Sequence, residues 1–77
     1  MTYITDTIEL RKAMVESGYK TIGQLSDDCG VNRNTLGKII SGEKQPTAEA
    51  MYKIADCLSF SPERAGSIFF TRDLRNT

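Results

Sequence analysis

Two short amphipathic segments with a very short connection between them are the most restrictive feature of this sequence. Residues 22–29 and 33–41 carry apolar side chains at helical spacing, and only Gly30, Val31 and Asn32 separate them. Thr21 is the N-cap of the first segment, and Gly42 ends the second. In the connection, glycine readily adopts the positive φ at which helices end, and asparagine is a favoured N-cap residue. Such a connection is too short for antiparallel packing, so we expect two helices that cross at a steep angle.

A crossing of this kind is the geometry of a helix-turn-helix, here spanning residues 22–41. The two helices nearly touch at one point, where only a small side chain fits, and Ser26 occupies that point. Gly30 supplies the positive φ that the turn needs. The shared interior is predicted to consist of Leu25, Cys29, Val31, Leu36 and Ile39.

Capping residues divide the remaining sequence into three further helices. Asp6 begins the first, which runs to about Ser17, Thr47 begins the fourth, and Ser61-Pro62 begins the fifth. Their predicted core faces are Leu10, Ala13 and Met14; Met51, Ile54, Ala55 and Leu58; and Ala65, Ile68 and Phe69. We expect a single all-α domain over residues 1–77, a compact arrangement of five helices, with a flexible tail from about residue 71 to residue 77.

Two apolar groups remain outside this core. Ile8 and Val15 form a second apolar row on the first helix, so we expect that helix to be covered on two sides. Residues 68–70 are predicted to extend the fifth helix, partly covering that row and partly forming a dimer contact through Phe69 and Phe70. The alternative is that residues 68–71 form a strand beside residues 2–5.

The residue inventory excludes several classes of function. The chain has no histidine and only two cysteines, Cys29 and Cys57, so Ser-His, Cys-His, His-metal and closed zinc sites are excluded. We expect no enzymatic activity, no metal and no cofactor. Cysteines at apolar helical positions act as small hydrophobes, which indicates reduced thiols and a cytoplasmic protein. No apolar run exceeds three residues, so neither a signal peptide nor a membrane span is predicted.

The exposed face of the third helix carries the functional prediction. Arg33, Asn34, Lys38 and Ser41 share this face, which contains no acidic residue. Arginine, lysine and asparagine are the side chains that read base edges in the major groove of DNA. The alternative is an ordinary solvated face. Gly37 costs about 1 kcal/mol relative to alanine in a helix, which fits a close backbone approach to a ligand and, equally, a tolerant surface site.

The chain resembles the phage Cro and repressor-type helix-turn-helix family, over roughly residues 8 to 65. The matching residues are Leu10-Arg11, Gly18-Tyr19-Lys20-Thr21, Leu25-Ser26, Cys29-Gly30-Val31, Leu36, Ile39, Ser41-Gly42, Pro46 and Ile54-Ala55-Asp56-Cys57-Leu58. The resemblance implies a lambda-repressor-like fold that binds double-stranded DNA, usually as a homodimer on a pseudo-palindromic operator.

The resemblance also assigns roles to individual positions. It implies base contacts by Arg33, Asn34, Thr35 and Lys38. It implies phosphate contacts by Thr21, Ile22, Gly23, Asn32, Ser41, Gly42 and Lys44. Ile22 stands where the family commonly has a glutamine that contacts phosphate, so at this position only a backbone N–H is available.

The charge balance predicts a shallow salt dependence of DNA binding. Ten basic residues face ten acidic residues in the whole chain. Residues 20–46 hold four cations and three anions, among them Asp27 and Asp28. The logarithm of the binding constant falls with the logarithm of salt concentration by about 0.9 per neutralised phosphate. A titration of the dimer should therefore give a slope shallower than about −8, and a steeper slope would contradict the prediction.

Two functions are compatible with these features. The first is a Cro-like protein or small repressor that binds an operator and needs no small-molecule effector. The second is a helix-turn-helix module that binds a partner protein, such as an antitoxin or a modulator. The neutral charge, Asp27-Asp28 and Ile22 favour the second. The operator sequence and a phage or host origin stay open.

Overall fold

Five short helices and a small sheet that joins the two chain ends make up the fold. The computed structural model describes residues 3–72 and confirms the five-helix architecture. The elements are β1 (Tyr3–Ile4), α1 (Thr7–Glu16), α2 (Ile22–Cys29), α3 (Arg33–Ser41), α4 (Ala48–Cys57), α5 (Pro62–Phe69) and β2 (Thr71–Arg72). Over the described range, no helix is both long enough and apolar enough to cross a bilayer.

Each helix begins at the capping residue that the sequence predicts. In all five cases the cap side chain accepts a hydrogen bond from a backbone N–H in the first turn. The caps are Asp6, Thr21, Asn32, Thr47 and Ser61. Helices α2 and α3 end at Gly30 and Gly42, with φ of 76° and 86°. A side chain with a Cβ rarely adopts this backbone conformation, so glycine fixes where both helices stop.

The core lies between the five helices: α3 packs on α1 and α2, α4 packs on α2 and α5, and α1 packs on α5. Leu10, Leu25, Leu36, Ile39 and Ile54 are completely excluded from solvent. The predicted core faces are confirmed for the most part: Met51 and Ala65 are half-buried and pack at the margin of the core, and Ala55 is half-buried outside it. The interior of so small a domain is modest, because folding buries only about 60–65% of the surface of the unfolded chain.

The chain ends pair as a two-stranded antiparallel sheet. Tyr3 lies opposite Arg72, and Ile4 lies opposite Thr71. The strand alternative is therefore correct for Thr71, whereas Ile68 and Phe69 belong to α5. Residues 71 and 72 of the predicted tail lie in β2, and residues 73–77 lie outside the described part of the chain. The Tyr3 ring meets the Phe70 ring edge to face at 6.2 Å between centroids.

The predicted second covering of α1 is wrong. Ile8 and Val15 are 68% and 73% exposed. Helix α5 packs against the other side of α1, where Ile68 and Phe69 are buried in the core. The row was misleading because isolated exposed aliphatic residues are common on protein surfaces.

Both thiols are free, and one takes part in a polar cluster. Burial raises the pKa of Cys29, so this thiol stays protonated at neutral pH and packs as a hydrophobe. The Tyr19 hydroxyl donates to the Asp28 carboxylate at 2.8 Å and lies 3.2 Å from the sulfur of Cys57. Its hydrogen bonds with Cys57 and then Asp28 raise the pKa of Tyr19. The cluster connects the ends of α2 and α4.

Candidate nucleic-acid interface

The turn between α2 and α3 is held by Ser26. Its hydroxyl donates to the Val31 carbonyl at 2.6 Å, and its own carbonyl accepts the Gly30 N–H at 2.9 Å. Leu25 and Leu36 are buried beside it, one on each helix. Ser26 thus has two functions at the crossing, because it leaves room for the second helix and satisfies a carbonyl of the turn.

Helix α3 presents one apolar and one polar face. Leu36, Ile39 and Ile40 are buried, as the sequence predicts. Arg33, Asn34, Lys38 and Ser41 are exposed on the other face, with Thr35 and Gly37 half-buried between the two. A Cβ at Gly37 would meet nothing within 4 Å, so the fold itself does not require glycine there. The acid-free polar face of α3 is therefore open to a partner.

The first turn of α2 lies beside this face. The Ile22 side chain packs against the core, so only its backbone can reach a ligand. Thr21 accepts from the Gln24 N–H at 3.1 Å, and the Gln24 side chain accepts from the Lys20 N–H at 2.8 Å. This reciprocal cap satisfies two donors. The first N–H groups of a helix have no acceptor within it, which leaves those of Ile22 and Gly23 for an anion.

Arg33 bridges α2 and α3. A Cβ built at Gly23 would lie 3.6 Å from the guanidinium carbon of Arg33, so the guanidinium group lies over the first turn of α2. The absence of a side chain at Gly23 opens this space. The structure thus brings one residue predicted to read bases directly next to one predicted to bind phosphate.

The loop after α3 flanks the polar face on its other side. The N–H groups of Glu43 and Lys44 both donate to the Lys38 carbonyl, at 2.9 and 3.3 Å. The Ser41 hydroxyl lies 3.1 Å from that carbonyl and 3.3 Å from the Glu43 carboxylate. Lys44 is exposed. A negative charge next to Ser41 and Gly42 opposes an anion there, so Lys44 is the cation that this loop can offer.

Asn32 is the N-cap of α3 and lies at the start of its polar face. Its side-chain oxygen accepts from the N–H groups of Asn34 and Thr35, at 2.9 and 3.3 Å. Only the oxygen is used in these two bonds, so the side-chain NH₂ group stays at the surface as a donor. Asn32 therefore combines a structural role with the geometry that its predicted phosphate contact needs.

Three side-chain contacts between distant parts of the chain were not predicted from the sequence. Thr5 donates to Gln45 at 2.9 Å, and Gln45 donates to the Phe69 carbonyl. A guanidinium nitrogen of Arg11 lies 3.4 Å from the Ile40 carbonyl at the end of α3. These contacts span between 24 and 40 positions of sequence. No local pattern signals pairings over such distances.

Of the two residues predicted to form a dimer contact, Phe70 is exposed and Phe69 is not. Phe69 is 1% exposed and belongs to the core, so it is not available to a second chain. Phe70 is 53% exposed, and with Tyr52, which is 77% exposed, it lines an apolar cavity of about 320 Å³ between α4 and α5. The sequence missed Tyr52 because it lies on the polar side of α4 in a helical projection.

Metal-binding residues are not brought together in the described region. Within residues 3–72, no three side chains of Cys, Asp or Glu lie close enough to hold a metal ion. The polar groups beside α3 are amides, hydroxyls, amines and a guanidinium group. This set can donate hydrogen bonds to bases and phosphates.

Two short crossed helices, a three-residue turn with Val31 buried at its centre and an acid-free outward face define a helix-turn-helix protein. The comparison with known families agrees with that class: the helix-turn-helix family model matches residues 10–64, more than half of the chain. The chain belongs to this family, of the XRE type, and is a DNA-binding transcription regulator. No curated protein and no solved structure gives a significant match.

Proposed function

We propose that this protein is a sequence-specific regulator that inserts α3 into the major groove of double-stranded DNA. Arg33, Asn34 and Lys38 would contact base edges, and Thr35 would contact a base or a phosphate. The observation that carries the proposal is the polar face of α3, which is exposed and free of acidic residues. Arginine and lysine pair with guanine and asparagine pairs with adenine, which gives this face sequence preference.

Phosphate contacts on either side would fix the orientation of α3. On one side lie the Thr21 cap and the backbone N–H groups of Ile22 and Gly23, and on the other lie Gly42 and Lys44. Asn32 and Ser41 stand at the two ends of α3 itself. Contacts of this kind set the register of a protein on the duplex but carry no sequence information. The two classes of contact should therefore respond differently to mutation.

The regulator would bind its operator as a homodimer through the surface between α4 and α5. Phe70 and Tyr52 are large, exposed aromatic residues at one apolar cavity, and aromatic residues are enriched at interfaces. Two copies related by a two-fold axis would place two α3 helices on two half-sites. A pseudo-palindromic operator follows from that symmetry.

Operator binding would act on transcription by blocking polymerase, as in a Cro-like protein or a small repressor. Such a protein needs no effector molecule, because its own concentration and its dimerisation set operator occupancy. It would act in the cytoplasm of a bacterial cell, on a phage or host promoter. In this proposal, recognition of DNA depends on α3 and on the two segments beside it, the first turn of α2 and the loop after α3.

In vitro selection from a random duplex library tests this function directly. We expect the purified protein to enrich one sequence that contains two inverted half-sites. The variant Lys12→Ala removes one charge from the exposed surface of α1, where Lys12 pairs with Glu9 at 3.4 Å, and should enrich the same sequence. Recovery of no consensus, together with a protein partner that co-purifies in the absence of DNA, would support the protein-interaction function instead.

A further inference from the structure

We infer that Gln45 is a positioning residue for the loop of residues 42–46, which contains the proposed phosphate contact Lys44. The side chain of Gln45 links this loop to Thr5 and Phe69, near the two ends of the described chain, and we call this link the clasp. The inference rests on the proposed phosphate contact of Lys44, the residue directly before Gln45 in the chain. The side-chain amide of Gln45 connects three separate parts of the molecule. Its oxygen accepts the hydroxyl of Thr5 at 2.9 Å, and its NH₂ group donates to the carbonyl of Phe69.

The clasp completes the C-terminal end of α5. The last four carbonyls of a helix have no partner within it and need hydrogen-bond donors from elsewhere. In α5 the Gly66 carbonyl accepts the Phe70 N–H at 2.9 Å, and the Ser67 carbonyl accepts the Thr71 hydroxyl at 2.6 Å. The Ile68 carbonyl accepts the Asp6 N–H at 2.6 Å. Gln45 supplies the contact for the fourth carbonyl, that of Phe69.

Burial of Thr5 makes its bond with Gln45 specific, although Gln45 itself is exposed. Thr5 is only 6% exposed, so its hydroxyl depends on the Gln45 oxygen for a partner. Both halves of the Gln45 amide are used, which fixes the orientation of the side chain. A glutamine with two fixed partners on the chain ends also fixes the backbone of the loop from which it extends.

Apart from the Gln45 amide, the loop is held near the chain ends by apolar contacts: Pro46 is buried, and Gly42 lies beside the methyl group of Thr7. A cavity of about 350 Å³ between the loop and β1 is lined by Ile4, Thr7 and Lys44 among others. On its other side the loop is tied to α3 through the Lys38 carbonyl. Loss of the Gln45 amide would remove the polar link between the residue next to Lys44 and the chain ends, and Lys44 would be less firmly placed. Lys44 would then have to be ordered when DNA binds, at a cost in affinity.

Binding to a mixed-sequence duplex provides the test, because non-specific binding depends on phosphate contacts and requires no knowledge of the operator. Affinity is measured by fluorescence anisotropy over a range of salt concentrations. Lys44→Ala should weaken binding about three- to tenfold at moderate salt and reduce the salt slope by about 0.9 per lost contact. Gln45→Ala should weaken binding about two- to fivefold and reduce the slope in the same direction. In a Lys44→Ala background, Gln45→Ala should weaken binding by less than about a further 1.5-fold, because Gln45 acts on binding through Lys44.

A matched control separates positioning from a general loss of stability. Thr71→Val removes a different hydrogen bond from the same end of α5 and leaves the loop untouched. It should lower the midpoint of urea unfolding about as much as Gln45→Ala but keep the wild-type salt slope. If Gln45→Ala folds poorly, Thr5→Val is a milder variant that removes only the hydrogen bond between Thr5 and Gln45. It should reproduce the change in slope, and Thr5→Ser should restore the wild-type slope.

The outcomes distinguish this inference from the function on which it rests. If Lys44→Ala changes neither affinity nor slope, the proposed phosphate contact is wrong, and the positioning role is wrong with it. If Lys44→Ala behaves as expected but Gln45→Ala and Thr5→Val keep the wild-type slope, only the clasp is refuted. Full additivity of Gln45→Ala with Lys44→Ala would refute it as well.

Discussion

Leu36→Ala should lower the free energy of unfolding by about 2–5 kcal/mol, the usual cost of truncating a buried leucine. Leu36 is completely buried on the inner face of α3, beside the turn that leads from α2. Removal of its side chain opens a cavity between the two helices, which the short turn does not allow to close. Domains of this size have little stability to lose, so a large part of the population should unfold at physiological temperature.

Urea denaturation followed by far-UV circular dichroism measures the change. Val15→Ala is the control, because it also shortens an aliphatic side chain on a helix, but at a position that is 73% exposed. It should change the stability by less than about 0.5 kcal/mol. Equal losses for the two variants would show that α3 does not pack on α2 as described.

Local sequence signals were sufficient for the helices and the turn. A capping side chain acts on N–H groups two or three residues ahead, and a glycine acts at its own φ. All five N-caps and the stops at Gly30 and Gly42 could therefore be predicted. The buried stripe of α3 was equally accessible, because the helical period alone places Leu36, Ile39 and Ile40 on one side.

The errors all concern contacts between distant parts of the chain. The pairing of Ile4 with Thr71 depends on how five helices bring the two ends together, and two-residue strands leave no alternating pattern. The exposure of Ile8 and Val15 depends in the same way on which side of α1 the last helix covers. The link between Thr5 and Gln45 joins two polar residues across 40 positions and has no local signature.

In the candidate site, too, the features that depend on one helix could be predicted, and the contacts between helices could not. The composition of the α3 face followed from its helical period, so Arg33, Asn34 and Lys38 were placed together correctly. The position of the Arg33 guanidinium over Gly23 did not follow, because it depends on the crossing of α2 and α3. The sequence could indicate which residues share the exposed face of α3, but not which residues of α2 and α3 lie against each other.

Arg33→Ala should weaken operator binding by about 1–3 kcal/mol and relax the preference for one base pair in each half-site. A bidentate contact between arginine and guanine contributes about this much discrimination. Mobility-shift titrations on the selected operator and on single-base variants of it measure both effects. The loss should be largest on the intact operator, and the variant protein should no longer distinguish substitutions at the base pair that Arg33 reads.

The position of Arg33 gives the same variant a second use. Its guanidinium lies over the first turn of α2, where the proposed phosphate contacts are. A base-reading arginine must leave that place on binding, whereas a phosphate-binding one stays there. In the second case Arg33→Ala would weaken all sequences equally and reduce the salt slope by about 0.9 per half-site. Lys12→Ala removes the same charge from α1 and controls for net charge. Unchanged affinity and unchanged base preference for Arg33→Ala would show that α3 meets DNA in a different orientation.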